Sequence, residues 1–353
     1  MTTAYPFDRE KELFPVEFRQ AVPGIYGMPA FPTRRFHTPI TPKENFFRMC
    51  RGEKPVWVPN MGSDFNVLQP EVMPDATARS YGGTDWFGIK WKYEPLSAAA
   101  MVEPGTRRLS DITKWKEELV WPDLSSIDWE ADYKKNYEAV MDPDRPTLFV
   151  IVNGFFERTA DLTSFEDTFY YLLEEQEALN EFYTKLCDFH IDLIRIAKKY
   201  YHADCITFHD DMGSQQNAFM SPSTFEEVLL PHYKRMNDAI HAEGMYINFH
   251  SCGNVGVQLP NFIKAGFDFW EGQDTCNDKT ALMEKYGSSL GQTSMFLPDP
   301  SLTDEELIDE IRRKVDTLGA TGRYIAWFGD MNMNRKVNGE EELYAYSREV
   351  LSR

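Results

Sequence analysis

The chain contains no run approaching 18 uninterrupted apolar residues, so nothing in it reads as a membrane-spanning helix. Its first stretch, MTTAYPFDREKELFP, is charged and has no apolar segment of the kind a secretory signal needs. Cysteine is scarce. Cys50, Cys187, Cys205, Cys252 and Cys276 are odd in number and irregular in spacing, which argues against a disulfide framework. Together these absences predict a cytoplasmic protein whose thiols stay reduced and free to act as ligands. Positive charge is in deficit, with 37 Lys and Arg against 56 Asp and Glu and a formal net charge of −19. The doublets Arg34-Arg35 and Arg107-Arg108 are isolated and no basic patch surrounds them, so no nucleic-acid partner is expected.

What is present is the composition of a folded protein, 42% hydrophobic and 14% aromatic. Residues 1–40 are rich in Pro, aromatic residues and charge without a clear period, and are expected to form an irregular N-terminal arm lying on the main domain. TPKENFFRMCRG then reads as a helix capped by Thr41, with Glu44 completing a capping box. From there to residue 353, β-like runs alternate with helical ones. The runs are 55–60, 85–93, 147–154, 204–211, 245–251, 267–273, 289–294 and 323–330. Strand–helix–strand repetition implies parallel pairing, and eight runs predict an α/β fold, a (β/α)8 TIM barrel with the arm in front. An open doubly wound sheet is disfavoured because no glycine-rich phosphate loop follows the first run.

The C-terminal ends of barrel strands are where chemistry gathers. Here those ends carry Asn153, with Glu157 beyond it; His209, Asp210 and Asp211; His250 and Cys252; Glu271, with Cys276 beyond it; and Asp330 with Asn332. Donors of this kind are costly to bury unpaired, so their convergence on one rim points to a site. His250 and Cys252 stand two apart and share a strand face, which lets both turn toward one zinc ion. Gly253 would let the backbone approach closely there.

The segments TPKENFFRMCRGEKPVWVP, PSTFEEVLLPHYKRMNDAIHAEGMYINFHSCGNV and AGFDFWEGQDTCNDKTALMEKYGSSL resemble the uroporphyrinogen decarboxylase superfamily. They are most similar to its corrinoid-dependent methyltransferase branch, of the O-demethylase methyltransferase I type. The resemblance spans roughly residues 40 to 350. It implies a (β/α)8 barrel in which the His and Cys of the His-x-Cys-Gly-Asn segment, His250 and Cys252, bind zinc. The third ligand of that branch is usually a Cys in a PGC-like segment after the last strand. FGDMNMNRK stands there instead, so either Glu271 or Cys276 completes the shell or the zinc is lost or relocated. The decarboxylase proper resembles chains with an arginine-rich RQAGR segment, where this one has NMGSDFNVLQPE. A second pattern of aryl demethylating relatives, Glu-x14-Glu-x20-His, fits Glu166, Glu181 and His202, but at positions that read as helix surface and the opposite end of the barrel.

The resemblance thus implies an enzyme moving a methyl group from an aryl methyl ether to the cobalt of a separate corrinoid protein, with zinc as Lewis acid. Asp210 and Asp211 would act catalytically, orienting the substrate or supplying a proton. Asn153, Glu157, Gln215, Trp270 and Trp327 would bind substrate, within an aromatic set that also includes Phe65, Trp86, Phe155, Phe156 and Phe328. A methylcobamide–thiol methyltransferase, a decarboxylase-like enzyme and a non-catalytic barrel remain as alternatives, and the sequence leaves the oligomeric state open.

Overall fold

The computed structural model describes residues 5–96, 99–332 and 334–352. The ends of the two expected units, residues 1–4 and 353, therefore lie outside the described residues. Seven parallel strands form one curled sheet: β1 (Asn66–Leu68), β2 (Thr147–Ile151), β3 (Cys205–His209), β4 (Tyr246–His250), β5 (Phe269–Glu271), β6 (Gly291–Phe296) and β7 (Tyr324–Phe328). They lie side by side in chain order. Crossover helices between them cover the outer face, as parallel pairing requires.

The sheet is barrel-like but does not close, and the eighth strand is absent among the described residues. The run 55–60 meets β7 only through a bridge from Asn60 to Ala326. The run 85–93 went to another structure. Its end falls in the strand Lys90–Glu94, which pairs antiparallel with Gly83–Thr84 and Ala99–Val102 in a separate three-stranded sheet. The alternation in WKYE suits such a half-exposed strand, whereas the strands around β2 to β4 are buried on both faces.

Register decides which side chains enter the interior. His209 pairs with His250, His250 with Glu271, and Glu271 with Thr293, so one polar rung crosses four adjacent strands near their C-terminal ends. Below it Leu148, Val150, Cys205 and Phe269 form an apolar floor closed by Phe46 and Met49. Both come from the helix Pro42–Cys50, whose start is set by Thr41 accepting from the Glu44 N–H at 3.1 Å. The expected reciprocal bond does not form, because the Glu44 carboxylate turns to Arg51 at 2.7 Å. Burying Phe46 completely contributes roughly 1.5–3 kcal/mol to the seal.

The arm is more regular than expected. It carries a short helix, Arg9–Leu13, and a pair of antiparallel strands, Glu17–Arg19 with Thr33–Arg35. Two ion pairs fix it to the last helix, Gly339–Leu351: the buried Glu12 to Arg348 at 2.7 Å and the part-buried Arg34 to Glu341 at 2.6 Å. No helix among the described residues is long and apolar enough to cross a membrane, and all five cysteines are free.

Candidate metal centre

Beyond β2 the chain passes through Asn153, held at φ 61°, and Gly154 before starting the helix Phe155–Leu162. Gly154 has to be glycine, since a Cβ there would lie 2.4 Å from that of Asp210. The close approach lets Asp210 accept the N–H groups of Phe156 and Glu157 at 2.9 and 2.8 Å. A third donor, the Tyr233 hydroxyl, comes from the helix after β3. That helix widens by one turn over Phe225–Leu229, because Pro231 has no N–H and its ring crowds the preceding turn. Burial and then the charge of Glu157 push the Asp210 carboxyl up, against these three donors.

Glu157, placed by this anchor, meets His209 Nδ1 at 2.7 Å. Arg79 donates to Glu157 at 3.2 Å and to Asn153 Oδ1 at 2.9 Å. Burial acts to raise the Glu157 carboxyl, but His209 and Arg79 hold it below the usual carboxylate range. On the next strand the pattern repeats. His250 Nδ1 meets Glu271 at 2.8 Å, and the other Glu271 oxygen accepts from Asn248 at 2.7 Å. Asn248 is in turn fixed by Thr293 at 2.9 Å. Burial works against charge on His250, yet its bonds to Cys252 and Glu271 and the charges of Glu271 and Asp211 raise its pKa well above the ordinary value.

The two imidazoles stack face to face, with ring centroids 4.4 Å apart and planes 10° from parallel. With each Nδ1 engaged, both Nε2 atoms face Asp211, whose Oδ1 lies 3.9 Å from that of His209 and 3.6 Å from that of His250. Donor atoms of His209, Asp211 and His250 all lie within 4.8 Å of one another. Cys252 Sγ stands 3.3 Å from His250 Nε2, and its N–H donates to Asp211 at 2.7 Å. Two imidazoles oriented by carboxylates, with a carboxylate and a thiol beside them, fit a divalent metal of the zinc class.

Gly253 makes this turn possible, as expected of it. It sits at φ 89°, and a Cβ would meet the Gly213 backbone at 2.2 Å. From the arm, Tyr26 brings its ring to 6.2 Å from that of His209.

The expected residues divide by position. His250 and Cys252 share one face and lie together. Glu271 engages the outer nitrogen of His250, and Cys276 bonds Gln273 Oε1 at 3.6 Å in the next loop. That same oxygen takes Gln215 at 3.2 Å and the Gly253 N–H at 3.0 Å. Trp270 is fully buried on the outer face among the helices, with Lys279 over its ring, because residue 270 alternates with the inward Phe269 and Glu271. Phe155 and Phe156 are buried in the same helical layer, Trp86 packs against Trp129 and Phe189, and Phe328 against Phe296, whereas Phe65 and Trp327 join the interior cluster. Glu166 and Glu181 are exposed on helices. His202 caps the far end of Gln176–Tyr201, roughly 30 Å along the axis from Glu181, so these three do not meet. His209 stands among the strand-end donors expected from the sequence but was given no ligand role there, and Arg79 and Tyr26 were not singled out.

Residues 88–329 match the family model described as uroporphyrinogen decarboxylase (URO-D). In fold the chain is similar to a methyltransferase from Methanosarcina mazei, with a TM-score of 0.64 and 16% identity over 88% of this chain and 98% of that one. A sugar phosphate isomerase/epimerase from Parabacteroides distasonis is much less similar, with a TM-score of 0.33 and 11% identity over 62% and 78% of the two chains. No curated protein matches the sequence. Because the family match takes in well over half the chain and ends on the last strand of the curled sheet, this protein belongs to the uroporphyrinogen decarboxylase family.

Proposed function

We propose that this chain is a methyltransferase that passes a methyl group from an aryl methyl ether to the cobalt of a separate corrinoid protein. The observation that carries the reading is the facing pair His209 and His250, each oriented by a buried carboxylate, with Asp211 and Cys252 at the open side. The fold similarity to a methyltransferase and the family membership support it. His209, His250 and Asp211 would hold a zinc ion, with the Cys252 thiol beside them, and when bound it would supply Lewis acidity toward the ether oxygen.

The protein's own groups do the rest. Glu157 and Glu271 hold each Nδ1 proton, which fixes the tautomer and keeps both Nε2 atoms free. Asp210 acts as a positioning residue, pinning the helix start that carries Glu157. Asp211, partly exposed at the mouth, is the carboxylate able to reach substrate. Asn153, held by Arg79, and Trp327, facing inward, border the same interior and would orient the ring. The phenolate released leaves as an anion, so a fixed positive charge such as Arg79 nearby favours its departure.

Metal analysis of the purified protein, followed by methyl transfer assays with a supplied corrinoid protein and panels of methoxyarenes and thiols, tests this. Transfer only from thiols or to thiols would move the assignment to the coenzyme M type of reaction. Transfer without any corrinoid protein would overturn it.

A further inference from the structure

The helix Phe165–Glu174 turns an apolar face to solvent. Its Thr168, Tyr171 and Leu172 are buried, so one stripe of the helix already packs on the core. The opposite side of such a helix is ordinarily polar. Here it carries Phe165 at 50% exposure, Phe169 at 36%, Tyr170 at 56% and Leu173 at 65%. Phe165 and Phe169 meet the partly buried Phe219, with ring centroids 5.7 and 5.8 Å away, and all three pack on the buried Phe156. Leu173 stands one turn beyond Phe169 and continues the patch.

The patch borders the candidate metal centre. The Phe156 N–H is held by Asp210 at 2.9 Å, one residue before Glu157. Phe219 closes the loop that starts at Asp211, its N–H on the Met212 carbonyl at 2.8 Å. Acid surrounds the rings: Glu166, Glu174 and Glu177 are exposed and Glu175 partly so, and none of the four is in an ion pair among the described residues. Single exposed apolar side chains need no explanation, but a contiguous patch rimmed by charge marks a contact with another molecule. Charge decides which. A second copy of this chain, related by a two-fold axis, would set acidic rim against acidic rim under a net charge of −19. An anionic membrane surface is repelled for the same reason.

We propose that this face docks a partner protein whose contact surface is apolar at its centre and ringed by lysine and arginine. Phe165, Phe169, Tyr170 and Leu173 are the anchors, and the glutamates around them select the partner by charge. The surface goes beyond the methyl transfer and does not rest on it. A partner seated here covers rings that pack on Phe156, at the helix start that places Glu157 beside His209.

Calorimetric titration of the full-length protein with an amphipathic Leu/Lys helical peptide of about 14 residues, and with its Leu/Glu counterpart, tests the proposal. The Leu/Lys peptide should bind at least about tenfold more tightly than the Leu/Glu one. Because an acidic chain attracts any basic peptide, position is read separately. Phe165→Ser combined with Leu173→Ser should weaken Leu/Lys binding at least about tenfold with the thermal midpoint retained. Phe18→Ser, at another exposed phenylalanine in the arm, should leave it unchanged. Hydrogen exchange on the native chain should show peptide-dependent protection at residues 165–175 and 217–220, which locates the site even if the double variant fails to fold. No arm needs metal or a corrinoid protein, so the result stays distinct from any failure of the methyl-transfer reading. A Leu/Glu peptide that binds as well, a double variant that binds equally, protection elsewhere, no binding at millimolar concentration, or a native dimer that the double variant splits overturns the surface.

Discussion

Asp210 and Asp211 are neighbours in the chain, yet Asp210 is fully buried under three donors while the Asp211 side chain is 31% exposed at the mouth. The pleat sends them to opposite faces. Asp210→Asn should therefore cost about 2–4 kcal/mol of stability, since an amide cannot accept from all three donors. Asp211→Asn should leave the urea midpoint nearly unchanged and lower zinc content and turnover by at least about tenfold. Equal kinetic damage with equal stability from the two would contradict these roles.

Glu271 and Glu181 offer a second contrast. Glu271→Gln keeps the size of the side chain and removes the charge that orients His250, so metal affinity should fall about 10- to 100-fold without unfolding. Glu181 is on an exposed helix face paired with Lys116. Glu181→Gln, alone or with His202→Gln, should leave metal content at the level of the native protein.

Gly253→Ala should be destabilising by roughly 2–4 kcal/mol, because both the positive φ and the Gly213 backbone oppose a side chain. Thermal unfolding reads the loss directly. The same turn carries Cys252, so metal content should drop in the variant at temperatures where it remains folded.

His241 supplies a pH dependence away from the metal centre. Its bond to Asp268 at 2.9 Å raises its pKa above 6.5, against burial, with Asp238 adding to the rise and Lys234 opposing it. A raised folded value means its stabilisation is fully present below about 6.5 and fades as pH climbs through that folded value. Native protein should therefore exceed His241→Gln in thermal midpoint at about pH 5.5, by a small margin since the ring is partly exposed, and match it at about pH 9.

The six later runs became β2 to β7, though β6 begins two residues later than its run and SLGQTS carries little apolar pattern of its own. β1 was not legible: three residues, Asn66–Leu68, carry too little pattern, and their pairing with β2 spans about 80 positions. At the candidate centre, the proximity of His250 and Cys252 was legible because residues two apart on a strand share a face. The same rule applied to HDD joins His209 with Asp211, and the adjacent acids obscured it. Arg79 and Tyr26 reach the centre from a helix and an arm distant in sequence, and only tertiary packing brings them there.

The gap between β7 and β1 bears on where the wall can yield. A fully laddered cylinder admits solutes only over its rim, since entering through the wall means breaking rungs of backbone hydrogen bonds. Between β7 and β1 the rungs are few, the Ala326 N–H to the Pro59 carbonyl at 2.9 Å and the Phe328 N–H to Asn60 Oδ1 at 3.0 Å among them. Parting the wall on that side breaks fewer backbone hydrogen bonds than parting two fully laddered strands, so that is where the cylinder yields first.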